Sequence, residues 1–289
     1  THMDHFYGFD RIIRSSLMAQ HELTVYGPEG IIDNVDGKFR SYTWNLVEDY
    51  TFSVRVVELH RDGTYKAARF ATVNRFIPES LEIDLIVDKL PPLFAPVNAL
   101  PVLDLGEEFQ LEYEFFDHRI PSVGYRITEP TRHAVNDEKL ADFGQKTGPW
   151  LGKLIKALKD EAFEMSIDVN GTEYTVAELN DRLIDIKMPQ VVSYVTDCAP
   201  TEENIEKAVR FARNSTLLII ESPFLPEDKD HAEKKQHLTL DLSKKIFQDS
   251  GSEYVRFTHF AARYELEKQA FLSRLYEGMN NKVFTKNTL

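Results

Sequence analysis

The first five residues, Thr1-His2-Met3-Asp4-His5, put two imidazoles and a carboxylate within four positions. Such a cluster is costly to place unless something binds it. Histidine and carboxylate side chains are the ordinary nitrogen and oxygen ligands of zinc and related metals. Four later residues carry the same chemistry. His118, Asp197, Glu221 and His259 fall at the ends of the β-rich runs Leu111 to Asp117, Val191 to Val195, Leu217 to Ile220 and Tyr254 to Phe257. In layered α/β proteins, ligands bind outside one set of strand ends. Together with the opening cluster, these residues could enclose a two-metal site able to activate water and clamp a phosphoryl or acyl oxygen. Each strand-end residue also has an ordinary structural reading. Asp197 would serve as a turn residue or an N-cap for the next helix, and Glu221 as a solvated loop acid.

The elements that must position these groups can be traced from periodicity. Phe6, Phe9, Ile12, Ile13 and Leu17 fall at helical spacing, so the opening ligands would sit on a loop running into a helix N-terminus. Glu22 to Tyr26 reads as a strand, Gly30 to about Leu46 as a helix weakened by Gly37, and Thr51 to Leu59 and Tyr65 to Val73 as a hairpin turning at Arg61-Asp62-Gly63-Thr64. Glu79 to Val102, rich in Pro, reads as an irregular insertion. Phe109 to Asp117 and Ser122 to Thr128 are strands, the first with Leu111, Tyr113 and Phe115 alternating with Glu112 and Glu114. Residues 130–188 read as an excursion: a loop, a lysine-bearing helix after Gly148-Pro149, a hairpin at Asn170-Gly171 and a further helix. The remainder alternates strand and helix: Gln190 to Val195, Glu202 to Arg213, Thr216 to Ile220, Leu240 to Asp249, Tyr254 to Phe257, and Tyr264 to about Glu277. Such alternation predicts a layered α/β architecture.

Composition bounds the function. The chain has 289 residues, 42% of them hydrophobic, enough for a sizeable core. Its formal net charge of −13 offers no global attraction to nucleic acid or to an anionic membrane, so any such contact needs a local basic patch. The single Cys198 excludes an internal disulfide framework and fits a reducing, cytoplasmic setting. The longest apolar run, Leu217 to Ile220, is far short of a membrane span. The chain begins on Thr inside what reads as a motif, so preceding sequence is expected.

The ordered set of segments resembles the metallo-β-lactamase superfamily, and within it the ribonuclease Z branch. Thr1-His2-Met3-Asp4-His5 matches the last five positions of the superfamily's His-x-His-x-Asp-His motif, placing the first histidine before Thr1. Asp117 to Arg126 is similar to the branch's His-x-x-x-x-x-Gly-Tyr segment. Thr196-Asp197 is similar to its Gly-Asp-Thr segment with Cys198 in the Thr place. Leu218 to Phe224 is similar to its His-Glu-Ala-Thr-Phe segment with Ile220 in the His place. His237-Leu238-Thr239 and Thr258-His259-Phe260 are similar to the His-Ser-Thr segment and the last ligand segment.

The resemblance implies a four-layer αβ/βα sandwich, lacking N-terminal strands, in one domain with an inserted arm or flap at about 130–188. It implies two divalent metals of the zinc type, with manganese or iron as alternatives. His2 and His118 would hold one, Asp4, His5 and His259 the other, and Asp197 would bridge. His237, Glu221 and Asp4 would serve catalysis. His237 would contact the scissile phosphate or protonate the leaving oxygen, with Glu221 orienting it; the plain reading of His237 is a cap region before the helix from Leu240. The arm would grip transfer RNA. Gln145 to Lys159 holds Lys146, Lys153, Lys156 and Lys159 and no acid, while Trp150, Leu151, Leu154 and Leu158 would equally make the buried face of an ordinary amphipathic helix. The expected activity is phosphodiester hydrolysis on RNA, with precursor transfer RNA as the candidate substrate, in a homodimer free of membrane. A small-molecule hydrolase acting on a cyclic nucleotide, sulfate ester or lactone, and a metal-poor binding module without catalysis, remain the rivals.

Overall fold

The computed structural model describes residues 1–19, 21–47, 49–82, 102–104, 109–279 and 282–284. In chain order the elements are α1 (Met3–Phe6), α2 (Phe9–Ser16), β1 (Glu22–Pro28), α3 (Ile31–Arg40), β2 (Ser53–Leu59), β3 (Tyr65–Ala71), β4 (Glu79–Ser80), β5 (Val102–Asp104), β6 (Gln110–Asp117) and β7 (Pro121–Thr128). There follow β8 (Arg132–Val135), α4 (Asp137–Phe143), α5 (Pro149–Lys159), β9 (Ser166–Val169), β10 (Thr172–Thr175), α6 (Val176–Leu183) and β11 (Ile184–Lys187). The last stretch holds β12 (Val191–Val195), α7 (Glu202–Phe211), β13 (Leu217–Glu221), α8 (Lys229–Lys235), α9 (Leu240–Ser250), β14 (Tyr254–Thr258) and α10 (Lys268–Tyr276). Contacts divide the chain into two compact units. One comprises Thr1–Leu105, Leu111–Ile127 and Val192–Leu289; the other comprises Gly106–Gln110 and Thr128–Val191.

The first unit is layered by the two-residue period of its strands. In β2 and β3, Val54, Val56, Ala68 and Phe70 face one way and pack on Phe9, Ile13, Leu17, Ile31, Val35 and Phe39 of α2, α3 and their margins. Val57, Leu59 and Ala67 face the other way and meet Leu111, Tyr113, Phe115 and Val123 of the second sheet. That sheet's far side presents Phe116, Val195, Leu218, Ile220, Val255 and Phe257 to α7, α9 and α10. Helices, sheet, sheet and helices therefore stack as a four-layer αβ/βα sandwich. The first sheet has the order β1-β2-β3-β4 and the second β14-β13-β12-β7-β6-β5. β12, β13 and β14 run parallel, so their C-terminal ends lie along one edge of the sheet.

Several boundaries differ from the periodicity reading. The helix read as Gly30 to Leu46 stops at Arg40, because the chain folds back so that the Trp44 indole N–H donates to the Phe39 carbonyl at 2.8 Å. Gly37 does not break it. The opening helix is two short pieces, with Phe9, Ile13 and Leu17 buried and Ile12 exposed. Asp4 and His5 lie within α1, and His2 is its N-cap. Most of the Pro-rich stretch read as an irregular insertion, residues 83–101, lies outside the described residues. The terminal helix starts with a 3₁₀ turn at Ala262–Glu267 before α10. Helix α8 was not expected from the sequence: it has seven residues, no side-chain cap and one buried side chain, Ala232.

Glycine matters where packing is tight, as in β7. A Cβ on Gly124 in β7 would lie 2.7 Å from a Phe116 ring carbon, 3.1 Å from the Tyr194 carbonyl and 3.3 Å from Phe211. Gly124→Ala is expected to cost about 1–3 kcal/mol through overpacking, measurable by urea unfolding.

In the second unit, α5 buries Trp150, Leu154, Ala157 and Leu158 against Ile167 and Val169 of the β9–β10 hairpin and Val176, Leu179 and Leu183 of α6. Lys146, Lys153, Lys156 and Lys159 are exposed. The lysine-free face is thus the core face, and the lysines line the wet one. Helix α6 opens on a capping box: the Thr175 hydroxyl accepts the Glu178 N–H at 3.2 Å, and Glu178 accepts the Thr175 N–H at 2.8 Å. Thr175→Ala should cost about 1 kcal/mol of this unit's stability, read by thermal unfolding.

Candidate metal centre

The parallel strands deliver their terminal residues to one place. Asp197 follows β12, Glu221 ends β13 and His259 follows β14, while His118 follows β6. Helix α1 brings His2, Asp4 and His5 to the same edge. Their ligand atoms fall into groups whose members all lie within 4.8 Å of one another: His2, His118 and Asp197; Asp4, His5 and His259; and Asp197, Glu221, His237 and His259. The residues assigned to each metal by resemblance therefore lie together, with Asp197 beside both sets. Asp197 Oδ1 is 3.0 Å from His5 Nε2 and 3.6 Å from His259 Nε2. Asp197 Oδ2 is 3.4 Å from His2 Nδ1 and 3.8 Å from His118 Nε2. Asp4 Oδ2 is 3.2 Å from His259 Nε2 and 3.5 Å from His5 Nε2. The helix after Asp197 is capped instead by Thr201, whose hydroxyl accepts the Asn204 N–H at 3.2 Å, so Asp197 is not that cap.

A carboxylate among imidazoles has a distinctive titration. Burial would raise the Asp197 pKa, but the His5 hydrogen bond and the charges of His5, His118 and His259 hold it far below the usual carboxylate range. His5 is raised, first by its bond to Asp197. Asp4 is lowered: burial opposes this, and the His259 bond and the His5 charge outweigh it. His118 is lowered by burial.

The donor set fits a divalent cation. His5 Nε2 and His259 Nε2 lie 3.1 Å apart, both turned toward Asp197. Asp197 Oδ1 is buried, and the groups facing it are the ring nitrogens of His5 and His259 at 3.0 and 3.6 Å. Imidazole nitrogens and carboxylate oxygens converging on one point, a buried carboxylate oxygen among them, are what a zinc-type ion requires.

The surroundings orient these ligands. His118 Nδ1 lies 2.8 Å from the Gln236 carbonyl, which fixes a proton on Nδ1 and leaves Nε2 facing the site. Glu221, fully buried, is a hub: it accepts the Asp197 N–H at 2.8 Å, the Leu238 N–H at 2.8 Å and the His237 Nδ1–H at 3.0 Å. It is not the solvated loop acid of the plain reading. With His237 Nδ1 so engaged, its Nε2 is free. The ring lies between those of His118 and His259, with centroids at 4.6 and 5.0 Å. Burial would lower the His237 pKa, but the Glu221 bond and charge raise it. Cys198 is buried, its thiol pushed well up by burial, and Ile220 packs in the core. The Gln236 carbonyl and the Leu238 N–H could not have been found in the sequence, since every residue offers such groups. Lys146, Lys153 and Lys156 belong to the second unit.

No family model matches the chain. Among curated proteins it is similar to ribonuclease Z of Protochlamydia amoebophila, at 31% identity over 59% of this chain and 50% of that protein. It is also similar to ribonuclease Z of Deinococcus radiodurans, at 25% identity over 91% of this chain and 74% of that protein. Ribonuclease Z of Thermobifida fusca is 33% identical over 60% of this chain and 50% of that protein. The alignments thus span about half the length of two of these relatives. Among solved structures, the short form of human tRNase Z aligns over 91% of this chain and 71% of its own, with TM-score 0.46 and 14% identity. In sequence the chain is similar to ribonuclease Z, and its architecture is the four-layer αβ/βα sandwich described above.

Proposed function

We propose that this protein is a two-metal hydrolase of phosphodiester bonds in RNA. The observation that carries the reading is Asp197, whose one oxygen faces His2 and His118 and whose other faces His5 and His259, with the Glu221–His237 pair alongside. The residues His2, His118 and Asp197 would hold one zinc-type ion, and Asp4, His5, His259 and Asp197 the other. When bound, such ions supply an activated water at neutral pH and neutralise charge on phosphoryl oxygens. The chain's own groups do the rest. Asp4 sets the open rim of the site, its side chain 62% exposed. Glu221 fixes the tautomer and angle of His237, whose free Nε2 would hold a proton and pass it to the leaving oxygen. The Glu221 bond and charge favour the form that carries this proton, against the opposing effect of burial. Its removal by His237→Ala is expected to lower kcat by about 10²–10⁴-fold without releasing metal.

The exposed lysines of α5 and its approach would add the phosphate attraction that the net charge of −13 withholds. Lys153→Glu/Lys156→Glu should weaken precursor transfer RNA binding and flatten its salt dependence. A wild-type response would make the arm a structural flap only. No helix among the described residues is long and apolar enough to cross a membrane. The reading is tested by comparing precursor transfer RNA, bis-aryl phosphate and cyclic nucleotides as substrates before and after chelation. Hydrolysis of the RNA that is lost on chelation and restored by zinc or manganese supports it. Absence of cleavage by the metal-loaded protein rejects it.

Metal affinity should depend on pH in a defined direction. Ligation needs His5 neutral, and Asp197 holds its proton above the ordinary imidazole pKa. Apparent zinc affinity is expected to fall as pH drops through that raised value, about tenfold per unit for one displaced proton, measured by competition with a chromophoric chelator. In the metal-free protein the sign reverses. The raised His5 contributes stability that is complete below its unfolded pKa and is lost as pH rises through the folded one.

A further inference from the structure

A second recess, of about 410 Å³, opens beside the metal centre. It shares His2 and His118 with the ligand groups, and its wall carries Arg119, Lys234 and Lys235. All three cations are exposed, and among the described residues none is paired with a carboxylate. In a chain of net charge −13, three unpaired cations around one opening repel one another and call for an anion. Lys234 and Lys235 lie in the last turn of α8, where cations offset the helix dipole. That accounts for two charges. It does not account for Arg119, which arrives from the turn between β6 and β7 with a left-handed φ of 61°. Its guanidinium donates to the Lys234 carbonyl at 3.0 Å, and two residues on, the Gln236 carbonyl orients His118. One short loop thus fixes a candidate ligand and gathers the cations next to it. The other guanidinium N–H groups of Arg119 remain to fork onto a phosphate, and the lysines act as mobile point charges.

We infer that this recess is a phosphate subsite, holding the phosphate adjacent to the scissile one in an extended single strand. The substrate class is then a polynucleotide rather than an isolated phosphodiester. The inference rests on the phosphodiesterase reading above and adds to it the direction the strand takes on leaving the metals.

The test uses the zinc-loaded full chain and its Lys234→Ala/Lys235→Ala and Arg119→Ala variants. Binding of a fluorescein-labelled 2′-O-methyl oligoribonucleotide is followed by anisotropy across salt concentration. The double variant should bind about tenfold more weakly, and its salt slope should flatten by about 0.7, the share of the one phosphate no longer neutralised. Lys234→Arg/Lys235→Arg should restore both. In parallel, kcat/KM on a short RNA should fall at least tenfold further than on bis-aryl phosphate, which has no neighbouring phosphate. Unchanged affinity and slope, or equal losses on the two substrates, would overturn the subsite. A wild-type protein that hydrolyses neither substrate defeats the phosphodiesterase reading instead, and anisotropy still decides the subsite.

Discussion

Asp197→Ala is expected to strip the protein of bound metal and to lower kcat/KM on RNA by at least about 10³-fold, roughly 4 kcal/mol of transition-state stabilisation. The size of the effect follows from position. Its two oxygens face four imidazoles from α1, the β6 turn and the loop after β14, at 3.0 to 3.8 Å. Removing it leaves neither ligand group with its shared anion. Metal content by elemental mass spectrometry, with circular dichroism to confirm folding, checks the claim. A folded variant that retains wild-type metal would show that Asp197 is not the bridge. Asp197→Asn separates charge from shape. It should keep the backbone hydrogen bond to Glu221 and still bind metal poorly, because the amide cannot supply the anion.

The second large effect lies away from the site. Glu112 and Arg126 form an ion pair at 3.2 Å with side chains only 1% and 5% exposed. Arg126 also donates to the Phe211 carbonyl at 2.9 Å, tying β7 to the end of α7. Burial raises the Glu112 carboxyl and lowers the Arg126 guanidinium, each against the attraction of the other. Arg126→Leu alone should destabilise the protein by about 3–5 kcal/mol, because it strands a buried carboxylate. Glu112→Leu/Arg126→Leu should recover most or all of that loss. Urea unfolding of the wild type, both single variants and the double variant measures the coupling. If the double variant is no more stable than Arg126→Leu, the charges are not the source of the penalty.

That pair marks where sequence reading ran out. The alternation of Leu111, Tyr113 and Phe115 with Glu112 and Glu114 identifies β6, but periodicity reports two faces and not what covers each. In this sandwich both are covered, so Glu112 is buried while Glu114 is only half-buried. The strand ends at Asp197, Glu221 and His259 were legible because short β-branched runs stop abruptly on residues of ligand chemistry. The lysine face of α5 was legible for the same kind of reason, since Trp150, Leu154 and Leu158 keep helical spacing. Helix α8 left no such trace: one buried alanine gives no period. The part of the site that rests on backbone groups was likewise silent. The Gln236 carbonyl on His118 and the Leu238 N–H on Glu221 come from chain geometry and not from side-chain type.

Asp197 and His259 hold left-handed backbone angles, φ 52° and 58°, and Arg119 and Gln236 beside them are at 61° and 63°. Non-glycine residues adopt this region at a cost of about 1 kcal/mol or more. Glycine at any of the four would relax the chain and forfeit a ligand or a hydrogen bond. The cluster therefore sets conformational ease against chemistry at four neighbouring positions. A duplicated copy of this chain released from catalysis should drift toward glycine or asparagine there first, gaining stability as it falls silent.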